Sequence, residues 1–268
     1  MKILAPFEKL FTPYALIAFN LAIIFGAGLV GGGTFFAKTG LVHAIAFLFV
    51  ALIIVRIFSD YAFSDHILKG FLKIQLAFFL FLGFIHIYEY LGLIVFPFND
   101  EVVELSAMGS YLLWILGALL SFEFVFRIYY KKTFLLTAIL SVILAVGFAM
   151  LLAVNLSSAF AESLSEWLPL AMLASIAVFG IGGILSIRKI RDIMPVFLEY
   201  SYYAIPAGIL VVLTAFSEYF ESTGYLQVFG ISQIQNLYIS HFLIYAALSL
   251  LLIGFGKLKK PRGIYSEM

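Results

Sequence analysis

The stretch HAIAFLFVALIIVRIFSD, residues 43–60, decides the fold class of this chain. An unbroken apolar run separates His43 from Arg56, and Asp60 follows Arg56 by one turn of a helix. With its flanks, this run approaches the roughly 20 residues that a helix needs to cross the hydrocarbon core of a bilayer. The stretch therefore predicts a membrane-spanning helix with a histidine at one end and a charged pair at the other.

The composition of the whole chain agrees with a membrane protein. Of its 268 residues, 64% are hydrophobic and only 12% are charged, whereas a soluble domain averages about 45–50% apolar and about 25% charged. The net charge of +1 provides no basic field for nucleic acid. Because the chain has no cysteine, disulfides, thiolate metal sites and cysteine nucleophiles are excluded.

Seven further apolar segments predict an eight-helix protein. The eight segments cover residues 13–33, 41–58, 68–95, 107–128, 133–155, 168–187, 194–218 and 237–256. Each has about 18–28 residues, which suits spanning helices of variable tilt. The alternation of polar and apolar residues that barrel strands require is missing. We therefore expect an all-α integral membrane protein with eight transmembrane helices.

The placement of basic residues predicts the orientation of these helices. If all eight segments span, every lysine and arginine except Lys38 falls on one side of the membrane. Since lysine and arginine are enriched in cytoplasmic loops, we expect a multi-pass cell-membrane protein with cytoplasmic N- and C-termini. The opposite, outer face would then be acidic.

A repeat relates the two halves of the sequence. Arg56 and Asp60 recur 132 positions later as Arg188 and Asp192. The same offset aligns FIHIYEYLG, residues 84–92, with FSEYFESTG, residues 216–224. A fixed offset of this kind indicates a duplicated structural unit.

The duplication predicts two four-helix transmembrane repeats, residues 1–132 and 133–268. Because four is an even number, both copies would point the same way and would be related by an axis along the membrane normal. This parallel repeat differs from the inverted repeats of many alternating-access transporters, although parallel repeats also occur in transporters.

Three of the four histidines are expected at one depth, in the outer third of the membrane. His43 opens the second segment, His86 lies late in the third, and His241 opens the eighth. His86 and Glu89 are three positions apart and share a helix face. This spacing, in the reverse order, is used by metal ligands in helical bundles. The alternative interpretation is a polar helix rim that water and headgroups solvate.

Outer acidic residues join the histidines as candidates. Neutral imidazole together with carboxylate suits zinc, copper or iron. Imidazoles from separate helices can instead hold a haem, here haem b, and a histidine that titrates near neutrality can hydrogen-bond a quinol. The candidate ligand-binding residues are His43, His86, Glu89, Glu104, Glu218, Glu221 and His241, and the candidate metal ligands among them are His86 and Glu89.

Two polar residues are expected within the spans themselves. Glu199, in FLEYSYYAIP (residues 197–206), is expected one to two turns inside the seventh segment. An ionisable residue in a span is a candidate for function, and the alternative is a hydrogen-bonded packing residue. Asn20, at mid-depth in the first segment, is expected to make an interhelical hydrogen bond.

The sequence does not indicate an enzyme. It contains no nucleophile elbow, no zincin motif and no P-loop. GAGLVG, residues 26–31, matches the letters of the dinucleotide fingerprint. It lies in a predicted membrane helix, however, and lacks the preceding strand that the fingerprint needs. We interpret its glycines as small residues for close helix packing.

Three functions remain open at this stage. The first is a ligand- or cation-binding sensory module whose acidic, histidine-containing outward pocket is coupled to a cytoplasmic or membrane partner protein. The second is the membrane anchor subunit of a redox complex, holding haem or quinone, for which four-helix units are common hosts. The third is an ion- or proton-coupled small-molecule transporter that uses Glu199. In each, the lipid bilayer is the surrounding partner.

Overall fold

The computed structural model describes residues 12–29, 40–61, 66–94, 181–194 and 197–258. All secondary-structure elements in these ranges are helices, so the all-α class is confirmed for the described residues. The helices are α1 Pro13–Leu29, α2 Leu41–Tyr61, α3 His66–Ile94, α4 Ile181–Ile193, α5 Leu198–Ser222, α6 Tyr225–Val228 and α7 Gln233–Gly256. The predicted segments at 107–128 and 133–155 lie outside the described residues. The count of eight and the repeat therefore stay predictions.

Three helices of the described part are long and apolar enough to cross a membrane. They are Leu41–Tyr61, Leu198–Phe220 and Gln233–Gly256, with 21, 23 and 24 residues. At about 1.5 Å per residue, each exceeds the roughly 30 Å of a bilayer's hydrocarbon core. The chain therefore has the architecture of a helical membrane protein.

The two glycines that the repeat aligns are used differently. Gly224 has φ +73°, in the left-handed region, and it follows α5 where that helix ends. A left-handed glycine is a common way to terminate a helix. Gly92, its counterpart at the same offset, lies inside α3. The aligned glycines therefore do not have the same structural role, and the repeat itself stays a prediction.

The break between α4 and α5 differs from the predicted boundary. The sixth segment was expected to end at residue 187, but α4 continues to Ile193. Met194 is the first non-helical residue, and Pro195 follows it. Since a residue before proline is disfavoured in the helical region, the sequence stops the helix there rather than at the charged residues.

Helix α7 lies at the centre of the described bundle, packed against α5, α2 and α1. Its last turn approaches α5 closely at Gly254. A Cβ atom placed on Gly254 would lie 3.2 Å from Tyr203 Cβ and 3.3 Å from Tyr200 Cδ2. A Cβ on Gly26 would meet nothing within 4 Å. Among the described residues, close packing through a small residue is therefore found at Gly254 and not at Gly26, and the rest of the motif at residues 26–31 stays untested.

A charged contact joins α2 to the C-terminal end of α7. Arg56 Nε lies 3.1 Å from Asp60 Oδ2, which confirms the pairing expected for this spacing. Arg56 Nη2 also donates to the carbonyl of Gly256, at 3.4 Å. A cation there complements the partial negative charge of a helix C-terminus. Asp192, which the sequence aligns with Asp60, pairs at 2.9 Å with Arg191 instead of Arg188.

Candidate functional site

Three histidines from three helices meet at the end of the bundle opposite Arg56. His43 lies in the first turn of α2, His86 in the last third of α3, and His241 in the third turn of α7. The ring centroids of His43 and His241 are 4.9 Å apart, and those of His43 and His86 are 6.1 Å apart. His86 and His241 are each only 6% exposed. We call His43, His86 and His241 the histidine cluster.

A backbone carbonyl fixes the protonation of His241. Its Nδ1 lies 2.9 Å from the carbonyl oxygen of Leu237, one turn earlier in α7. A carbonyl can only accept, so Nδ1 carries the proton and donates it. In the neutral ring, Nε2 then holds a lone pair, and this atom lies 3.5 Å from Nδ1 of His43. The cluster therefore presents a basic nitrogen to the space between the two rings.

Tyr245, one turn after His241 on the same face of α7, supports the position of His43. Its hydroxyl donates to the carbonyl of Val42 at 2.7 Å, in a buried bond next to His43 in the chain. Its ring stacks on Phe49 with centroids 5.9 Å apart. Tyr245 thus holds α2 against α7 by a hydrogen bond in the first turn of α2 and by an aromatic contact in its third turn. Motion of His43 relative to His241 is restricted as a result.

Polar side chains also connect α5 to α7 beside the cluster. Asn236 is 1% exposed. Its Oδ1 accepts a hydrogen bond from Ser217 Oγ, and its Nδ2 donates to the Ser217 carbonyl at 3.3 Å. Thr214 Oγ1 lies 3.5 Å from the Ser240 carbonyl. Hydrogen bonds between helices are a recognised source of association in membranes. They hold the His241 turn of α7 against α5.

Asn20 makes the interhelical hydrogen bond that its position predicted. Its Nδ2 donates to Ser249 Oγ at 3.0 Å and to the Leu16 carbonyl at 2.7 Å. This contact attaches α1 to α7, two turns beyond His241. The side chain is 4% exposed, and its Nδ2 has both of these acceptors within the protein.

The sequence reasoning singled out His241 but missed its polar neighbours on α7. Four buried polar or hydroxyl-bearing side chains recur at intervals of four or five positions along this helix. They are Asn236, Ser240, Tyr245 and Ser249. This spacing in an apolar span is typical of a polar stripe on one helix face, and it would have revealed the buried side of α7.

The acidic candidates are not described to the same extent. Glu104 lies outside the described residues. Glu89 and Glu221 lie on α3 and α5, but their side chains are outside the described part, so the predicted His86–Glu89 metal pair stays a prediction. Glu218 is half-buried on α5 and follows Ser217 in the chain. No group of three or more histidine, aspartate or glutamate side chains in the described ranges is spaced to hold a metal ion.

Glu199 occupies a shallower position than the sequence suggested. It lies in the first turn of α5, because that helix begins at Leu198 rather than at residue 194. A carboxylate in the first turn is stabilised by the positive end of the helix dipole. Its side chain is half-buried. Its role as an intramembrane acid stays a prediction.

Comparisons with known proteins add no relative: no protein-family model, no curated protein and no solved structure matches this chain. The fold and the site therefore define a class rather than a family. That class is a helical membrane protein with a buried histidine cluster near one end of its spans.

Proposed function

We propose that this protein is a ligand-binding membrane module whose histidine cluster binds a divalent transition-metal cation from the outer side. The observation that carries the proposal is the pair formed by Nε2 of His241 and Nδ1 of His43, 3.5 Å apart. Two imidazole nitrogens that share a tetrahedral zinc ion at about 2.0–2.1 Å would be about 3.4 Å from one another. The pair is therefore spaced to bind a single ion with little movement.

The hydrogen bond of His241 also fits a metal ligand. Histidines that bind metals nearly always donate their second ring nitrogen to a carbonyl or carboxylate, which orients the ring and increases its basicity. In His241 the Leu237 carbonyl has this role, at 2.9 Å from Nδ1. His43 would supply Nδ1 as the second ligand, after loss of any proton on that atom.

The proposed site is a two-nitrogen site with a third histidine nearby. The ring centroid of His86 is 6.1 Å from that of His43, compared with 4.9 Å for His241. Water or an exchangeable ligand would fill the remaining positions, as in zinc sites that keep an open coordination position. An incomplete set of protein ligands suits reversible binding, which a sensory module requires.

The geometry favours a small ion over haem. Two axial imidazoles of one haem stand on opposite faces of the porphyrin, so the macrocycle separates them. His43 and His241 instead pack edge to face, with centroids 4.9 Å apart. Holding a haem between these two residues would require them to separate. We therefore rank metal binding above the haem or quinone anchor.

The proposal includes the orientation of the chain in the membrane and a cytoplasmic partner protein. The positive-inside bias places the Arg56 end in the cytoplasm, together with both termini. Helices α2 and α7 touch at both ends, through His43 and His241 at one and through Arg56 and Gly256 at the other. A change in spacing at the histidine cluster would thus reach the cytoplasmic surface, where a partner protein would read it.

Zinc binding tests the proposal directly. The protein would be purified in detergent with a tag free of histidine and without chelator, and then equilibrated with zinc at increasing concentration. We expect saturable binding of one zinc ion per chain, and competition by cobalt. Absence of stoichiometric binding of either metal would overturn the proposed function.

The Tyr245 hydroxyl provides a second prediction. Tyr245→Phe removes the bond to the Val42 carbonyl and frees the first turn of α2. A bond made directly to a metal-binding side chain is worth about 10- to 100-fold in affinity. The bond to Val42 acts only through the backbone, so we expect a loss of at most about 10-fold, with a cost in stability of about 1 kcal/mol. Zinc titration and thermal unfolding measure the two effects.

Ser249→Ala is the matched control for this variant. It also removes an interhelical hydrogen bond of α7, the bond from Asn20, but eight positions beyond His241. We expect a similar loss of stability and unchanged zinc affinity. Equal affinity in the two variants would show that Tyr245 does not position His43.

A further inference from the structure

The connection between α5 and α7 exposes large apolar side chains. Tyr225, Val228 and Phe229 are 53%, 77% and 68% exposed. The ring of Phe220, near the end of α5, lies 6.4 Å from that of Tyr225 and 6.3 Å from that of Phe229. We call Phe220 and residues 223–231 the aromatic turn. An exposed apolar patch of this kind marks a surface that contacts a membrane or another protein.

The backbone of the aromatic turn is hydrogen-bonded internally. The Thr223 amide donates to the Tyr219 carbonyl at 3.1 Å. The amides of Phe229 and Ile231 both donate to the Leu226 carbonyl, at 3.1 and 3.0 Å. Unpaired backbone groups cost several kcal/mol in lipid, so a loop that leaves water must satisfy its own. In the aromatic turn, the amides of Thr223, Phe229 and Ile231 are hydrogen-bonded in this way.

Two glycines let the turn stay this compact. Gly224 and Gly230 have φ of +73° and +69°, in the region that side chains disfavour. They lie on either side of α6, where the chain reverses direction. The short helix is thereby placed against the end of α5, and its apolar side chains are presented together on the surface.

The apolar surface of the turn continues the lipid-facing surface of two spans. Helices α5 and α7 both qualify as membrane spans, and each exposes apolar side chains below the turn, such as Leu213 at 48% and Ile239 at 44%. Aromatic residues are enriched where spans meet the membrane–water interface. The continuity of these surfaces identifies lipid as the occupant.

We propose that the aromatic turn is an interfacial anchor, immersed in the headgroup and upper acyl region of the bilayer. Its polar side, with the exposed residues Ser232, Gln233 and Gln235, faces water. The anchor sets the depth of the metal site as well. His241 lies eight positions beyond the start of α7, which places it about 12 Å below the turn along the helix axis. The anchor itself does not depend on metal binding.

Tryptophan placed on the turn tests this proposal in the full-length protein. The two native tryptophans, Trp114 and Trp167, are first replaced by phenylalanine. Phe229→Trp and, separately, Gln233→Trp are then introduced and reconstituted into vesicles of phosphatidylcholine and phosphatidylglycerol. Thermal unfolding confirms that each variant is folded. Emission is measured with lipids brominated near the headgroup or at the acyl end, and with aqueous iodide.

The anchor predicts opposite behaviour for the two positions. The tryptophan at position 229 is expected to emit at shorter wavelength, to lose most of its emission to bromine near the headgroup, and to resist iodide. The tryptophan at position 233 should be quenched mainly by iodide. Strong iodide quenching at position 229 would overturn the proposal. Resistance to both quenchers there would also overturn it, because a protein surface would then cover the turn.

Discussion

His241→Ala is expected to weaken zinc binding by at least about 100-fold, or about 2.8 kcal/mol of binding free energy. The substitution removes a ring nitrogen, Nε2, whose lone pair follows from the hydrogen bond that Nδ1 makes to the Leu237 carbonyl. It also leaves His43 without the nitrogen that lies 3.5 Å from its Nδ1. Equilibrium binding of zinc to the detergent-purified variant measures the loss.

His66 and His86 supply controls for His241→Ala. His66 begins α3, twenty positions before His86 and thus about 30 Å away along the helix. His66→Ala should leave binding unchanged. His86→Ala should weaken binding less than His241→Ala, because its ring is the more distant one. Similar losses in all three single variants would indicate a general effect of histidine removal and contradict the assignment.

A double variant separates a shared site from misfolding. If His43 and His241 hold one ion, removing both should cost little more than removing either, because residues that act as a unit are strongly non-additive. Two independent structural effects would instead add. Zinc affinity that falls multiplicatively in His43→Ala/His241→Ala would therefore contradict a shared site.

Gly254→Leu is expected to give the largest loss of stability. A side chain at this position would press on Tyr203 Cβ at 3.2 Å, and that atom cannot move without the backbone of α5. Overpacking at such a contact costs about 1–3 kcal/mol or more. At roughly 2–4 °C per kcal/mol, the melting temperature should fall by about 5–10 °C. Thermal unfolding in detergent measures the shift.

Gly26→Leu is the matched control, since the same substitution is made in another helix of the bundle. A Cβ atom at Gly26 meets nothing within 4 Å, so the melting temperature should hardly change. Leucine favours a helix more than glycine does, so equal destabilisation by the two variants would show that any added side chain in the bundle, and not the close approach of α5 to α7, is responsible.

The meeting of the histidines follows in part from the sequence. The positions of His43, His86 and His241 within their apolar segments already indicate one depth in the membrane. The depth of a residue in a spanning helix follows from its position in the segment and the rise per residue, so the common depth of the histidines could be predicted. Depth does not say which helices are neighbours or which way a ring points. The 3.5 Å contact between His241 and His43 therefore had to come from the structure.

Other features depend on contacts that no local pattern encodes. Asp192 has arginines available at two spacings, and the structure pairs it with Arg191. Tyr245 is one of 15 tyrosines, and only its approach to the Val42 carbonyl distinguishes it. Glu199 lies nearer the start of its helix than the sequence suggested, because hydropathy does not register the break after Ile193. Local turn chemistry would have indicated that break.

X-ray absorption at the zinc edge of the loaded protein tests the central claim most directly. If His43 and His241 hold the ion, the spectrum should show nitrogen ligands at about 2.0–2.1 Å together with the outer-shell scattering of at least two imidazole rings. His241→Ala should reduce the imidazole contribution. A first shell of oxygen alone, without imidazole scattering, would contradict the claim.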